Sequence, residues 1–116
     1  MREPVLCLTD ILRAMDAIES FILGMDFETF SHNLKTKSAV LAKLALMGEA
    51  SKILPVAIRA DNPGVAWKNM AGMRDRLIHG YFQVDFALVW QTITQTLPIE
   101  KRLIQEIIER LPQSQP

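Results

Sequence analysis

Between positions 74 and 81 the chain reads RDRLIHGY: two arginines, an aspartate, a histidine and a tyrosine in one short stretch. Histidine is the side chain whose ordinary titration falls near neutral pH, so His79 is a candidate general base or acid. Asp75 stands four residues before His79, a helical spacing at which the two can meet. There the aspartate can fix the imidazole tautomer and favour its protonated form. Arg74 borders the face defined by Met70, Met73 and Leu77, so its methylenes can pack while the guanidinium reaches outward. One feature resists a simple site. Arg74 and His79 are five positions apart, which is about 140° around an ideal helix. Either the helix unwinds before Gly80, or a second copy of the chain completes the arrangement. The plainer alternative is a solvated helix end, where the helix dipole favours cations in any case.

The flanking sequence predicts helices that would carry this stretch. Leu8, Ile11, Met15, Ile18 and Ile22 recur at helical spacing, with Gly24 as terminator. Met25 to Phe30 reads as a short connector whose phenylalanines cover the core. His32, in a polar Ser-His-Asn connector, is assigned no role. A second helix runs from about Lys35 to Leu54, with Val40, Leu44, Met47 and Leu54 on one face and Ser51 as a polar interruption. After Pro55, a short segment with Ile58 leads to the turn Asp61-Asn62-Pro63-Gly64. A third helix begins near Trp67 and turns Met70, Met73 and Leu77 inward. Gly80 ends it, by the left-handed conformation that glycine tolerates. Asp85 is the expected N-cap of a helix holding Phe86, Val89, Trp90 and Ile93. Pro98 kinks or restarts that helix, and Ile99, Leu103, Ile107 and Leu111 form the last apolar stripe. The expectation is all-α: one domain over residues 1–111, a compact antiparallel bundle of four to five helices, with residues 112–116 as a frayed tail.

Composition narrows the function. The 116 residues are 49% hydrophobic, which suits a packed core and argues against disorder. Lys plus Arg and Asp plus Glu both number 13, so the chain has no general electrostatic grip on nucleic acid, and any phosphate contact must be local. The single cysteine, Cys7, cannot form an internal disulfide and reads as a small buried hydrophobe, in keeping with a reducing, cytoplasmic setting. Two histidines and no CxxC or HxxxH spacing make a dedicated metal site an unexpected feature, and no cofactor is expected. Met1-Arg2-Glu3-Pro4 does not read as the start of a signal peptide. The apolar run from Ala39 to Met47 is too short for a bilayer, so no membrane partner is expected.

The spacing Arg74-x4-His79-x-Tyr81 resembles the R-x4-6-H signature of HEPN domains, in the form with tyrosine typical of the HepT toxins. The resemblance extends along nearly the whole chain. It includes Asp10-Ile11-Leu12, the MGEA of Met47–Ala50, the run PGVAWKNMAGMRDRLIHGYF from Pro63 to Phe82, and Val84-Asp85 followed by Val89-Trp90. It implies a HEPN-like helical homodimer, higher oligomers left open, with two motifs facing each other across a cleft. It implies metal-independent cleavage of RNA, whether tRNA or mRNA, by attack of a ribose 2′-hydroxyl on the adjacent phosphorus. Arg74 and His79 would then be catalytic, with Arg74 stabilising charge on phosphorus and Arg76 holding a neighbouring phosphate. Asp75 would orient His79, Gly80 would turn the backbone, and Glu49 would pair with an arginine of the motif. The chain would be the toxin of a type VII-like HepT/MntA pair, restrained when an MNT-type nucleotidyltransferase antitoxin adenylylates Tyr81. Where many relatives read YFGVD, this chain has Gln83, which takes positive backbone angles less readily than glycine. Two rivals remain: a non-catalytic nucleotide-binding or docking subunit for the nucleotidyltransferase, and a purely structural helical dimer.

Overall fold

The computed structural model describes residues 3–112. Met1, Arg2 and all but the first residue of the expected tail lie outside them. Among the described residues the regular structure is helical, as expected. Helices α1 (Pro4–Phe21), α2 (Phe27–Ser31), α3 (Leu34–Ile53), α4 (Val56–Asp61), α5 (Trp67–His79), α6 (Phe86–Gln91) and α7 (Leu97–Arg110) follow in order. A 3₁₀ turn, Tyr81–Gln83, follows α5, and a π-helical turn, Thr92–Thr96, joins α6 to α7. The bundle is therefore built from α1, α3, α5 and the continuous α6–α7 rod, with α2 and α4 as short connectors.

Helix α3 is the central element, packing on α1 along one side and on α5 along the other. That double duty explains its burial pattern. Val40, Leu44 and Met47 are buried as the sequence predicts, but so are Leu41, Gly48, Ala50 and Ser51. The Ser51 hydroxyl is satisfied by donating to the Gly48 carbonyl at 2.8 Å. On α1, Leu8, Ile11, Met15 and Ile18 are fully buried, and Cys7 is buried as a small hydrophobe. Gly24 adopts φ +78°, the left-handed conformation expected of a terminator. Phe30 goes further than covering the core. It lies inside it, its ring 5.0 Å from that of Trp90 and 6.3 Å from that of Phe86, which ties α2 to α6.

Asp85 caps α6 as predicted, its Oδ1 accepting from the amides of Ala87 at 3.0 Å and Leu88 at 3.2 Å. Pro98 does not break the rod. Proline lacks an N–H and crowds the carbonyl four residues back, and the π turn just before it takes up the mismatch. The predicted stripe holds at Ile107, which is buried, and at Leu103 and Leu111, which pack against the core, but not at Ile99. Leu97, Glu100, Ile104 and Ile107 face inward, while Ile99 is exposed. Successive steps of four overshoot a turn by about 40° each, so the stripe drifts around the helix and its first residue, Ile99, falls outside the core face.

Helices α3 and α5 approach closely at Gly48. A Cβ placed there would lie 2.6 Å from the Met70 carbonyl oxygen and nearer still to the Arg74 Cβ. Only glycine lets α3 and α5 come this close. Gly48→Ala is expected to destabilise the protein by about 1–3 kcal/mol, the usual range for overpacking. Thermal denaturation should show a midpoint lowered by several degrees.

Candidate active site

Helix α5 carries the motif, and its start is firmly held. The Trp67 indole N–H donates to the Asn62 carbonyl at 3.0 Å, and Arg110 Nη2 donates to Asn62 Oδ1 at 2.6 Å. The amide of Ala66, just before the helix, donates to Glu100 Oε2 at 2.9 Å. Buried Trp67 and Met70 set the core face, with Met73 and Leu77 packed against its edge. The polar residues of the motif thereby fall on the remaining surface of α5.

They separate into two groups. On the α3 side, Arg74 Nε pairs with Glu49 Oε2 at 3.1 Å, so the expected partnership between Glu49 and a motif arginine is present. Arg74 Nη1 also reaches Asp75 Oδ1 at 3.3 Å. Its Nη2 has no partner among the described residues, which leaves part of the guanidinium fork available for an anion. Asp75 does not orient His79 within the single chain. Lys52, at the end of α3, takes the Asp75 carboxylate instead. The Lys52 hydrogen bond, aided by Arg74, holds the Asp75 carboxyl below the usual carboxylate range. The i, i+4 spacing permitted a contact with His79, but an ammonium across the helix seam is a stronger partner than an imidazole.

On the other side, exposed His79 lines a cavity of about 530 Å³ with Asp75, Arg76, Gly80 and Gln83. Arg76 and His79 thus share a cavity, whereas Arg74 and Tyr81 are not among its lining residues. The helix does not unwind to bring Arg74 and His79 together, since α5 stays helical through His79. Tyr81 lies in the 3₁₀ turn, 44% exposed and edge-on to Phe82 with ring centroids 5.6 Å apart. Phe82 is 98% exposed and Ile78 is 53% exposed. Neither Tyr81 nor Phe82 belongs to the core.

Gly80 ends α5 but not by the route expected. Its φ is −147°, and among the described residues Gly24 alone has a positive φ. A Cβ at Gly80 would meet its nearest neighbour, the Arg76 carbonyl oxygen, at an ordinary 3.4 Å. Gln83 also adopts no positive angle, and its amide donates to the Gly80 carbonyl at 2.9 Å. Glutamine at position 83 is therefore accommodated without backbone strain in this turn.

Glu100 was not anticipated. It is only 8% exposed, yet a glutamate in an amphipathic helix normally faces water. The proline three residues before its neighbour Lys101 and the stripe-like isoleucines gave no signal that the helix would roll it inward. Burial pushes its carboxyl pKa up, while the Ala66 amide opposes that shift.

Two outcomes follow. Gly80→Ala should leave the thermal midpoint within about 3 °C of wild type, because surface changes free of strain fall within about ±0.5 kcal/mol; a large loss would mean the turn needs glycine. Glu100 has a folded-state pKa above its unfolded value, so its stabilising contribution is complete below the unfolded pKa and is lost as pH rises through the folded one. Glu100→Gln, held neutral, should therefore match or exceed wild-type thermal stability at pH 8. That advantage should fade as pH is lowered toward the carboxylate range.

The chain matches the family model for HepT-like ribonucleases over residues 11–107. It is 44% identical over 104 residues to a Methanocaldococcus jannaschii protein provisionally named an RNase, with 90% of each chain covered. A Thermococcus cleftensis protein named probable ribonuclease HepT is 39% identical over 100 residues, covering 86% of this chain and 91% of that one. A Caldanaerobacter subterraneus protein, also provisionally named an RNase, is 34% identical over 110 residues, covering 95% and 98%. No solved structure matches this chain.

Proposed function

Because this chain belongs to the HepT-like ribonuclease family, we propose that it cuts RNA without a metal ion, at a site shared by two copies of α5. The observation that carries the shared site is the exposed apolar surface beside the motif, with Phe82 98% and Ile78 53% exposed. Apolar side chains gathered at a functional surface favour a protein partner. Pairing two copies through this face would cover them and bring one copy's His79 toward the other's Arg74. Neither residue needs to leave its helix.

In this reading one His79 takes the proton from a ribose 2′-hydroxyl as its oxygen attacks the adjacent phosphorus. The P–O bond to the 5′ oxygen breaks, and the second His79 supplies the proton to that leaving oxygen. The products are a 2′,3′-cyclic phosphate and a 5′-hydroxyl. Arg74, fixed by Glu49 and with Nη2 available, stabilises the charge that builds on the non-bridging oxygens. Arg76, on the His79 cavity, holds a neighbouring phosphate.

The same reading makes the chain the toxin of a cytoplasmic HepT/MntA-type pair. Tyr81 is exposed and so accessible to an MNT-type nucleotidyltransferase. Addition of AMP would set a bulky group and a negative phosphate near the motif cations, in competition with RNA. The equal counts of basic and acidic residues favour a second reading, a nucleotide-binding or docking subunit without turnover.

Total RNA treated with unmodified protein in EDTA should yield cyclic phosphate ends. His79→Ala should lower the rate by about 10²–10⁴-fold, the usual worth of a general acid or base. Undiminished cleavage by both His79→Ala and Arg74→Ala would refute the ribonuclease reading. Nucleotide binding in calorimetry without RNA turnover would establish the second.

A further inference from the structure

A second cavity, about 280 Å³, lies behind the motif, between α3, α5 and the π turn. It shares Met73, Arg76 and Leu88 with the cavity that holds His79, so the two adjoin along one side of α5. Met70 and Met73 give it apolar, polarizable walls of the kind on which flat aromatic groups pack. Asn69, Thr96 and Glu100 give it polar groups. Glu100 is more than nine-tenths buried. Its Oε2 accepts from the Ala66 amide, and its Oε1 has no partner among the described residues. A carboxylate oxygen is an acceptor only, so Oε1 is open to a donor that enters the cavity. The π turn borders the same space, and single π turns inside α-helices often mark functional sites.

We propose that this cavity receives a guanine base of the RNA, with the Glu100 carboxylate accepting hydrogen bonds from its N1–H and 2-amino groups. The proposal rests on the reading of the motif as an RNA-cutting site. The choice of base follows from the donor pattern. Guanine places two parallel N–H donors side by side, matching the two oxygens of a carboxylate. Adenine and cytosine place a ring acceptor next to their amino group, and uracil flanks its one N–H with two carbonyls. Each would turn an acceptor toward the carboxylate. Reading the Watson–Crick edge of an unpaired base in an apolar slot is a general route to RNA sequence recognition. Arg76, common to both cavities, stands where the sugar-phosphate of that nucleotide would run toward His79.

The test is equilibrium binding of guanosine, inosine and adenosine 5′-monophosphates, none of which can be cleaved, to the wild-type protein and to Glu100→Gln. The variant keeps an oxygen for the Ala66 amide and replaces the second acceptor with a donor. Wild type should bind the guanosine nucleotide at least tenfold more tightly than the adenosine one, with inosine between them because it lacks the 2-amino group. Glu100→Gln should abolish that preference without loss of thermal stability, an outcome that a merely structural role would not produce. A pentaribonucleotide with one guanosine should bind more tightly than the mononucleotide. Equal affinity for guanosine and adenosine nucleotides, or a preference retained in Glu100→Gln, overturns the site. A guanosine preference in a protein that fails to cut RNA would sink the ribonuclease reading and leave the guanine site standing.

Discussion

The close approach of α3 to α5 at Gly48 is the contact on which the rest of the motif's geometry depends. With no side chain at that position, the Met70 carbonyl and the Arg74 Cβ settle directly against the α3 backbone. The next residue, Glu49, is thereby brought within ion-pairing distance of Arg74, and Lys52, one turn further on, reaches Asp75. A larger residue would push the helices apart and loosen both ion pairs at once. The short sequence Met47–Ala50 therefore does two different jobs: Met47 and Ala50 fill the core, while Gly48 and Glu49 fix the position and orientation of the motif arginine.

This seam also divides the motif. Arg74 is drawn toward α3, His79 and Arg76 are left on the surface that opens toward the 3₁₀ turn and α6, and Asp75 stands between them, paired with Lys52 and Arg74 yet lining the His79 cavity. On the proposed reading, chemistry that needs both arginine and histidine recruits a second helix beside the exposed Ile78 and Phe82.

Behind α5, the π turn and Glu100 form a less expected unit. Pro98 removes a backbone donor from the rod, the wider turn before it absorbs the strain, and the rod continues with Glu100 rolled inward against the start of α5. The carboxylate holds the first amide of the motif helix region and keeps an oxygen toward the cavity. A glutamate on an amphipathic helix is thus tied to both the anchoring and the surroundings of the motif.

The sequence by itself determined the helical class, the face of α1, the cap at Asp85, the family resemblance and the location of the polar motif near the end of α5. Each of these is local: periodicity, capping and spacing depend on neighbours within a few residues. It also suggested Glu49 as a partner for a motif arginine. Tertiary structure alone decided which carboxylate pairs with which cation, that Asp75 turns to Lys52 and away from His79, and that Glu100 and not Ile99 faces inward. Those outcomes depend on the distance between elements far apart in the chain. They were set by a glycine contact and by the registry of a π turn, neither of which leaves a periodic trace in the sequence.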